Sequence, residues 1–83
     1  MTLLINRDGV IAPTATVSVL DRGFLYGDSI YEVVRTFAGK PFGLQEHLDR
    51  LRQSAAYLYM NVPWSDSHIQ EEVNRTLDQA GLG

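Results

Sequence analysis

The apolar residues change their period once along the chain, and that change limits the folds open to it. In the first half they alternate or gather in short runs rich in β-branched and aromatic residues, bounded by Gly, Pro or Asp. In the second half they recur at every third or fourth position. A period of two suits a half-buried strand and a period near 3.6 suits one face of a helix. Strands followed by helices, rather than alternating with them, read as α+β.

The turns punctuate the strand half. Thr2 to Asn6 is a short apolar run, followed by Arg7-Asp8-Gly9 and then Val10-Ile11. Asp-Gly between two apolar runs predicts a hairpin, because the tight turn needs positive φ. Pro13 ends that arm, Val17 to Leu20 reads as another short extended piece, and Asp21 to Asp28 reads as an ordered loop. Ser29 to Phe37 predicts a strand with Tyr31, Val33, Arg35 and Phe37 on one face and Ile30, Glu32, Val34 and Thr36 on the other. Neither face is purely polar, as expected where both are covered or where one lines a pocket. Gly39-Lys40 reads as a hairpin turn, with Pro41 opening the return strand.

Two amphipathic helices follow. Gln45 to about Met60 carries Leu44, Leu48, Leu51, Ala55 and Leu58 at helix-face spacing. After Pro63-Trp64, Ser65 reads as an N-cap with Asp66 in the favourable first turn. Ile69, Val73, Thr76, Leu77 and Ala80 form the second stripe, and Gly81 before Leu82 suits a glycine C-cap. The layout is four or five antiparallel, hairpin-linked strands and then two helices.

With 83 residues and no cysteine, one domain is the most the chain can hold, and its core is marginal without a partner. No disulfide or thiolate site is available, and two histidines on different predicted helices make a shared metal a poor expectation. A net charge of −3 without clustered cations argues against nucleic-acid or membrane partners. No apolar run nears the roughly 20 residues of a membrane span. The first residues lack the features of a secretory signal, so the cytoplasm is the expected compartment. Of seven basic residues six are arginine, leaving Lys40 as the one lysine.

Arg50 lies beside the Leu48/Leu51/Ala55 stripe, on the flank shared with His47 and Ser54, whereas Arg52 lies on the other flank near Asp49. Such an arginine either snorkels to water or presents a guanidinium fork to a phosphate or carboxylate. Tyr31 reads as a half-buried aromatic or a pocket group, and Glu32 as an edge or paired carboxylate. The glycines around Asp21-Arg22-Gly23 and Gly27-Asp28 match neither a dinucleotide fingerprint nor a P-loop.

Taken as a block, Val19-Leu20-Asp21-Arg22-Gly23-Phe24-Leu25-Tyr26-Gly27-Asp28-Ser29-Ile30-Tyr31-Glu32-Val33-Val34-Arg35 resembles the N-terminal segment of the fold-type IV, PLP-dependent aminotransferases. That family includes branched-chain and D-amino-acid aminotransferases and aminodeoxychorismate lyase. Glu46-His47-Leu48-Asp49-Arg50-Leu51 with Ser54-Ala55 is similar to its Glu-His-x-x-Arg-Leu helix. The opening hairpin and Pro63-Trp64-Ser65 have counterparts as well, so the likeness covers nearly the whole chain.

The resemblance implies that Arg50 binds the phosphate of pyridoxal 5'-phosphate. It implies that Tyr31 and Val33 face the substrate side, and that Tyr26 reaches the neighbouring subunit's pocket in a homodimer. PLP chemistry needs a lysine to hold the cofactor as a Schiff base and an acidic partner for its ring nitrogen. In the family both belong to a second domain, and Lys40 sits away from where they act. Residues 1–83 are therefore expected to be part of the N-terminal domain of a longer enzyme, with the catalytic lysine beyond Gly83 and no catalytic residue within the segment. Tyr31-Glu32-Val33-Val34 is closer to the D-amino-acid pattern than to Phe-Glu-Gly-Ile-Arg of branched-chain enzymes, with Val33 in place of glycine.

The expected reaction is transfer of an amino group from a branched-chain L-amino acid or a D-amino acid to a 2-oxo acid such as 2-oxoglutarate. An aminodeoxychorismate-lyase-type elimination and a non-catalytic α+β interaction module are the alternatives.

Overall fold

The computed structural model describes residues 3–27 and 29–81. Thr2, Asp28 and Leu82, named above in the first strand, the glycine loop and the final cap, lie outside the described residues.

The first hairpin forms where Asp-Gly predicts it. Strand β1 (Ile5–Arg7) pairs antiparallel with β2 (Val10–Ala12), with Ile5 opposite Ala12 and Arg7 opposite Val10. Asp8 and Gly9 both take positive φ, 52° and 91°, as the primed two-residue turn requires. Asn6 Oδ1 accepts from the Gly9 amide at 2.9 Å and locks the turn from within.

Val17 to Leu20, expected to be extended, form no ladder, and Val19-Leu20 are a turn. The reason is Ser18: its hydroxyl accepts from Leu20 N at 3.1 Å and its carbonyl from Asp21 N at 3.0 Å. Such local bonds divert the backbone from a strand. The segment expected as a loop then contains a short helix, α1 (Arg22–Tyr26), stopped by Gly27 at φ 69°. Five residues are too few to show a helical period.

Only the end of the Ser29–Phe37 segment is a strand. β3 (Thr36–Phe37) pairs with β4 (Lys40–Pro41), and an amide bond from Phe42 N to Arg35 O at 2.7 Å continues the rung. The turn is Ala38-Gly39, at φ 52° and 79°, one residue earlier than expected, so Lys40 opens the return strand. The strands thus form two separate two-stranded sheets. The expected alternation survives without a ladder: Tyr31, Val33 and Arg35 are exposed while Ile30, Glu32 and Val34 are partly covered.

Helix α2 (Leu44–Tyr57) starts after Gly43, which has φ 65° and leaves the helix without a side-chain cap. Leu48 and Ala55, both on the predicted stripe, are the buried hydrophobic residues among those described. Helix α3 (Asp66–Gln79) starts as predicted, with Ser65 Oγ accepting from His68 N at 3.2 Å, and Gly81 beyond its end has φ 75°.

Polar contacts join these elements. Arg52 donates from Nε to Asp66 Oδ1 at 2.6 Å and from Nη2 to the Trp64 carbonyl at 2.7 Å. Gln45 Nε2 reaches Asp66 Oδ2 at 2.9 Å, and Gln70 Nε2 returns to Gln45 Oε1 at 2.8 Å. Across the molecule, Asn6 Nδ2 donates to Glu72 Oε2 at 3.2 Å and Thr76 Oγ1 at 3.0 Å, fixing the first hairpin on α3.

Candidate functional site

Segment 30–35 runs beside α2 with Glu32 on its covered face, and Glu32 meets the two polar residues that share one flank of the helix. Glu32 Oε1 lies 2.7 Å from His47 Nδ1 and 3.3 Å from both Nε and Nη2 of Arg50. His47 and Arg50 are three residues apart, so consecutive turns present them to one acceptor. The short contact to a carboxylate puts the proton of His47 on Nδ1, which donates to Glu32. Arg50 Nη2, at 3.0 Å from that nitrogen, then lies alongside it rather than donating to it.

The charges fit this arrangement. Glu32 is held below the ordinary carboxylate range, first by the His47 hydrogen bond and then by the Arg50 guanidinium, with partial burial opposing both. The Arg50 side chain is 53% exposed and that of Glu32 24%. The guanidinium is therefore anchored along its inner edge and open along its outer one. Among the described residues Nη1 finds no acceptor. An outward guanidinium edge is a donor pair suited to a phosphate or carboxylate.

Tyr31 and Val33 flank Glu32 in sequence and stand on the opposite, open face, 82% and 73% exposed. Tyr26, at the end of α1, is 73% exposed. No hydrogen bond joins either tyrosine to Arg50 among the described residues. Glu32 and His47 are the additions that the sequence reading did not assign to the site. The helical wheel already set His47 beside Arg50, and strand alternation already turned Glu32 away from Tyr31. The missing fact was which face of the strand meets the helix.

A cavity of about 780 Å³ lies elsewhere, between the first hairpin and α3. Ile5, Val17, Trp64, Ile69, Val73 and Leu77 give it apolar walls; of its polar members, which include Arg7, Asp8 and His68, Asn6, Glu72 and Thr76 are bonded to one another. Its walls are mostly apolar, whereas Arg50 presents an open guanidinium edge, so Arg50 is the better anion site.

Residues 29–83 match the family described as amino-transferase class IV. The chain is 44% identical, over 99% of its length, to a D-alanine aminotransferase of Listeria monocytogenes, and covers 28% of that protein. A D-alanine aminotransferase of Listeria innocua is 48% identical over the same shares. A putative branched-chain-amino-acid aminotransferase of Methanocaldococcus jannaschii is 39% identical over 93% of this chain and 27% of its own length. The chain thus spans between a quarter and a third of the length of these curated relatives.

Proposed function

The chain belongs to the class IV aminotransferase family, and from that membership we propose that it is the N-terminal part of a longer, two-domain, PLP-dependent transaminase. The observation that carries the reading is the Arg50 guanidinium, anchored by Glu32 and open along its outer edge. That edge would take the cofactor phosphate. A fork of planar donors matches two phosphate oxygens, which the point charge of a lysine cannot do.

Bound PLP supplies an electron sink and a carrier for the amino group. In this reading the present residues bind and orient. Arg50 holds the phosphate, Tyr31 offers a hydroxyl to the substrate carboxylate, and Val33 narrows the substrate side of the pocket. Tyr26 reaches the pocket of the second subunit in a homodimer. The lysine that moves the proton belongs to the second domain, since Lys40 is at the start of β4 in a hairpin. The substrates are an amino acid and a 2-oxo acid such as 2-oxoglutarate, handled in the cytoplasm. Relatives named for D-alanine, together with the Tyr31-Glu32-Val33-Val34 run, favour a D-amino donor over a branched-chain L-amino donor.

Full-length protein loaded with PLP is the material for the test. D-Alanine with 2-oxoglutarate should give pyruvate and glutamate faster than L-leucine gives its oxo acid. Protein that holds PLP yet transaminates neither donor would overturn the reaction, and a preference for L-leucine would overturn the donor. Arg50→Ala should weaken PLP binding roughly ten- to a hundredfold, the loss expected for one charge-assisted contact.

A further inference from the structure

Arg50 does not stand by itself. One carboxylate oxygen, Glu32 Oε1, receives Nε and Nη2 of Arg50 and Nδ1 of His47 at once. The oxygen comes from one element and its three donors from another, so the contact also ties segment 30–35 to α2. A half-exposed arginine without such an anchor spreads over many rotamers and loses that freedom on binding. Glu32 removes most of the freedom beforehand. His47 in turn holds the carboxylate in place, by a bond shorter than either from Arg50.

Resting on the reading of Arg50 as the phosphate ligand, we propose that Glu32 is a positioning residue: it fixes the guanidinium by its inner edge so that the outer edge is set for a phosphate-bearing ligand. The opposite role is also physically available. A carboxylate beside the arginine cancels part of its charge and would weaken attraction for a dianion. The two roles differ in sign, so substitutions separate them. Glu32→Gln removes the charge and keeps an acceptor. Glu32→Asp keeps the charge and shortens the reach by one methylene. Glu32→Ala removes both.

The measurement is equilibrium binding of PLP and of pyridoxal, which lacks the phosphate, to the full-length protein and its variants. Both ligands carry the same ring and aldehyde, so the ratio of their affinities isolates the phosphate contact. Glu32→Ala and Glu32→Asp should each lower that ratio roughly two- to tenfold, the scale of ordering one long side chain, while Glu32→Gln restores most of it. Pyridoxal affinity should stay at the parent value throughout. Arg50→Ala is the reference arm. If it lowers the ratio and neither Glu32→Ala nor Glu32→Asp does, Arg50 keeps its role and the positioning role of Glu32 is refuted. A ratio raised by Glu32→Gln would establish the counter-charge role instead. Equal losses for PLP and pyridoxal would reduce Glu32 to a general structural contact. A ratio unmoved by Arg50→Ala would remove the phosphate assignment, and the positioning role with it. Should Glu32→Ala fail to fold, Glu32→Asp decides between these outcomes.

Discussion

At the end of α2 a tyrosine occupies a position that ordinarily favours glycine. Tyr59 has φ 56° and is 97% exposed. Around it the backbone closes the helix with two bonds, Met60 N to Ala55 O at 2.8 Å and Tyr59 N to Ala56 O at 3.1 Å. This is the Schellman pattern, in which the left-handed residue is usually glycine. A left-handed conformation costs a non-glycine residue about 1–2 kcal/mol, and an exposed ring returns little. Glycine would relieve that strain but add freedom to the unfolded chain. We therefore expect Tyr59→Gly to stabilise the full-length protein by roughly 0.5–1 kcal/mol, read as a higher urea midpoint at unchanged slope. A lower midpoint would mean that the ring is packed in the assembled protein. The same residues explain what the sequence could and could not disclose. Asp8-Gly9 was legible because both residue types tolerate positive φ. Ala38 and Tyr59 take that conformation with no compositional mark, so the second turn falls one residue early and α2 stops short of Met60.

Three carboxylates held below their ordinary range each help to join one element to another. Glu32 ties segment 30–35 to α2, Asp66 ties the start of α3 to Gln45 and Arg52 of α2, and Glu72 meets Asn6 of the first hairpin as well as Arg75 of its own helix. The dominant causes are hydrogen bonds from His47, Gln45 and Arg75 respectively. Each group is more acidic folded than unfolded, so its contribution is complete above the unfolded values, 4.5 for glutamate and 3.8 for aspartate. It disappears as the pH falls through the lower, folded values. Acid should therefore loosen the docking of elements, and Glu72→Gln should flatten the fall in stability below pH 4.5 relative to the parent. An acid limb of unchanged steepness would exclude Glu72 as a contributor. Asn6 tests the same joint from the other side. Its amide bonds Glu72, Thr76 and the Gly9 amide at once, so Asn6→Ala should cost on the order of 1–3 kcal/mol. Asn6→Asp should do further harm at neutral pH, because it sets a carboxylate against Glu72, and should recover part of the loss in acid. These joints show how far the candidate site was readable. Helix spacing put His47 beside Arg50 and alternation put Glu32 opposite Tyr31, but their meeting depends on how a strand without a ladder packs on a helix. No periodicity encodes that.

The whole chain exposes more surface than its mass explains. Its accessible area is 6698 Å², whereas a folded monomer of 9.3 kDa shows about 5,000 Å². Its radius of gyration is 13.6 Å, against about 12 Å for a compact chain of this length. The excess of roughly 1,700 Å² is about twice the area that one partner contributes to a standard protein interface. It is also apolar in character: Leu20, Tyr31, Phe37 and Tyr57 are each at least 78% exposed. The α+β class was legible in the change of period, yet that period also placed Tyr31 and Phe37 on a face to be covered, and nothing in the described residues covers it. The backbone of residues 30–34 adds a segment with no ladder partner among the described residues, which invites pairing with another strand. Expressed by itself, the 83-residue chain should therefore sediment as concentration-dependent oligomers, bind a hydrophobic dye and melt without a sharp transition. Replacing Tyr31 and Phe37 together by Ser should reduce both oligomers and dye binding, because both side chains are exposed and their removal leaves the Leu48/Ala55 core intact. A chain that sediments as a 9.3 kDa monomer at every concentration and unfolds cooperatively would refute this, since its exposed apolar face would then need no cover.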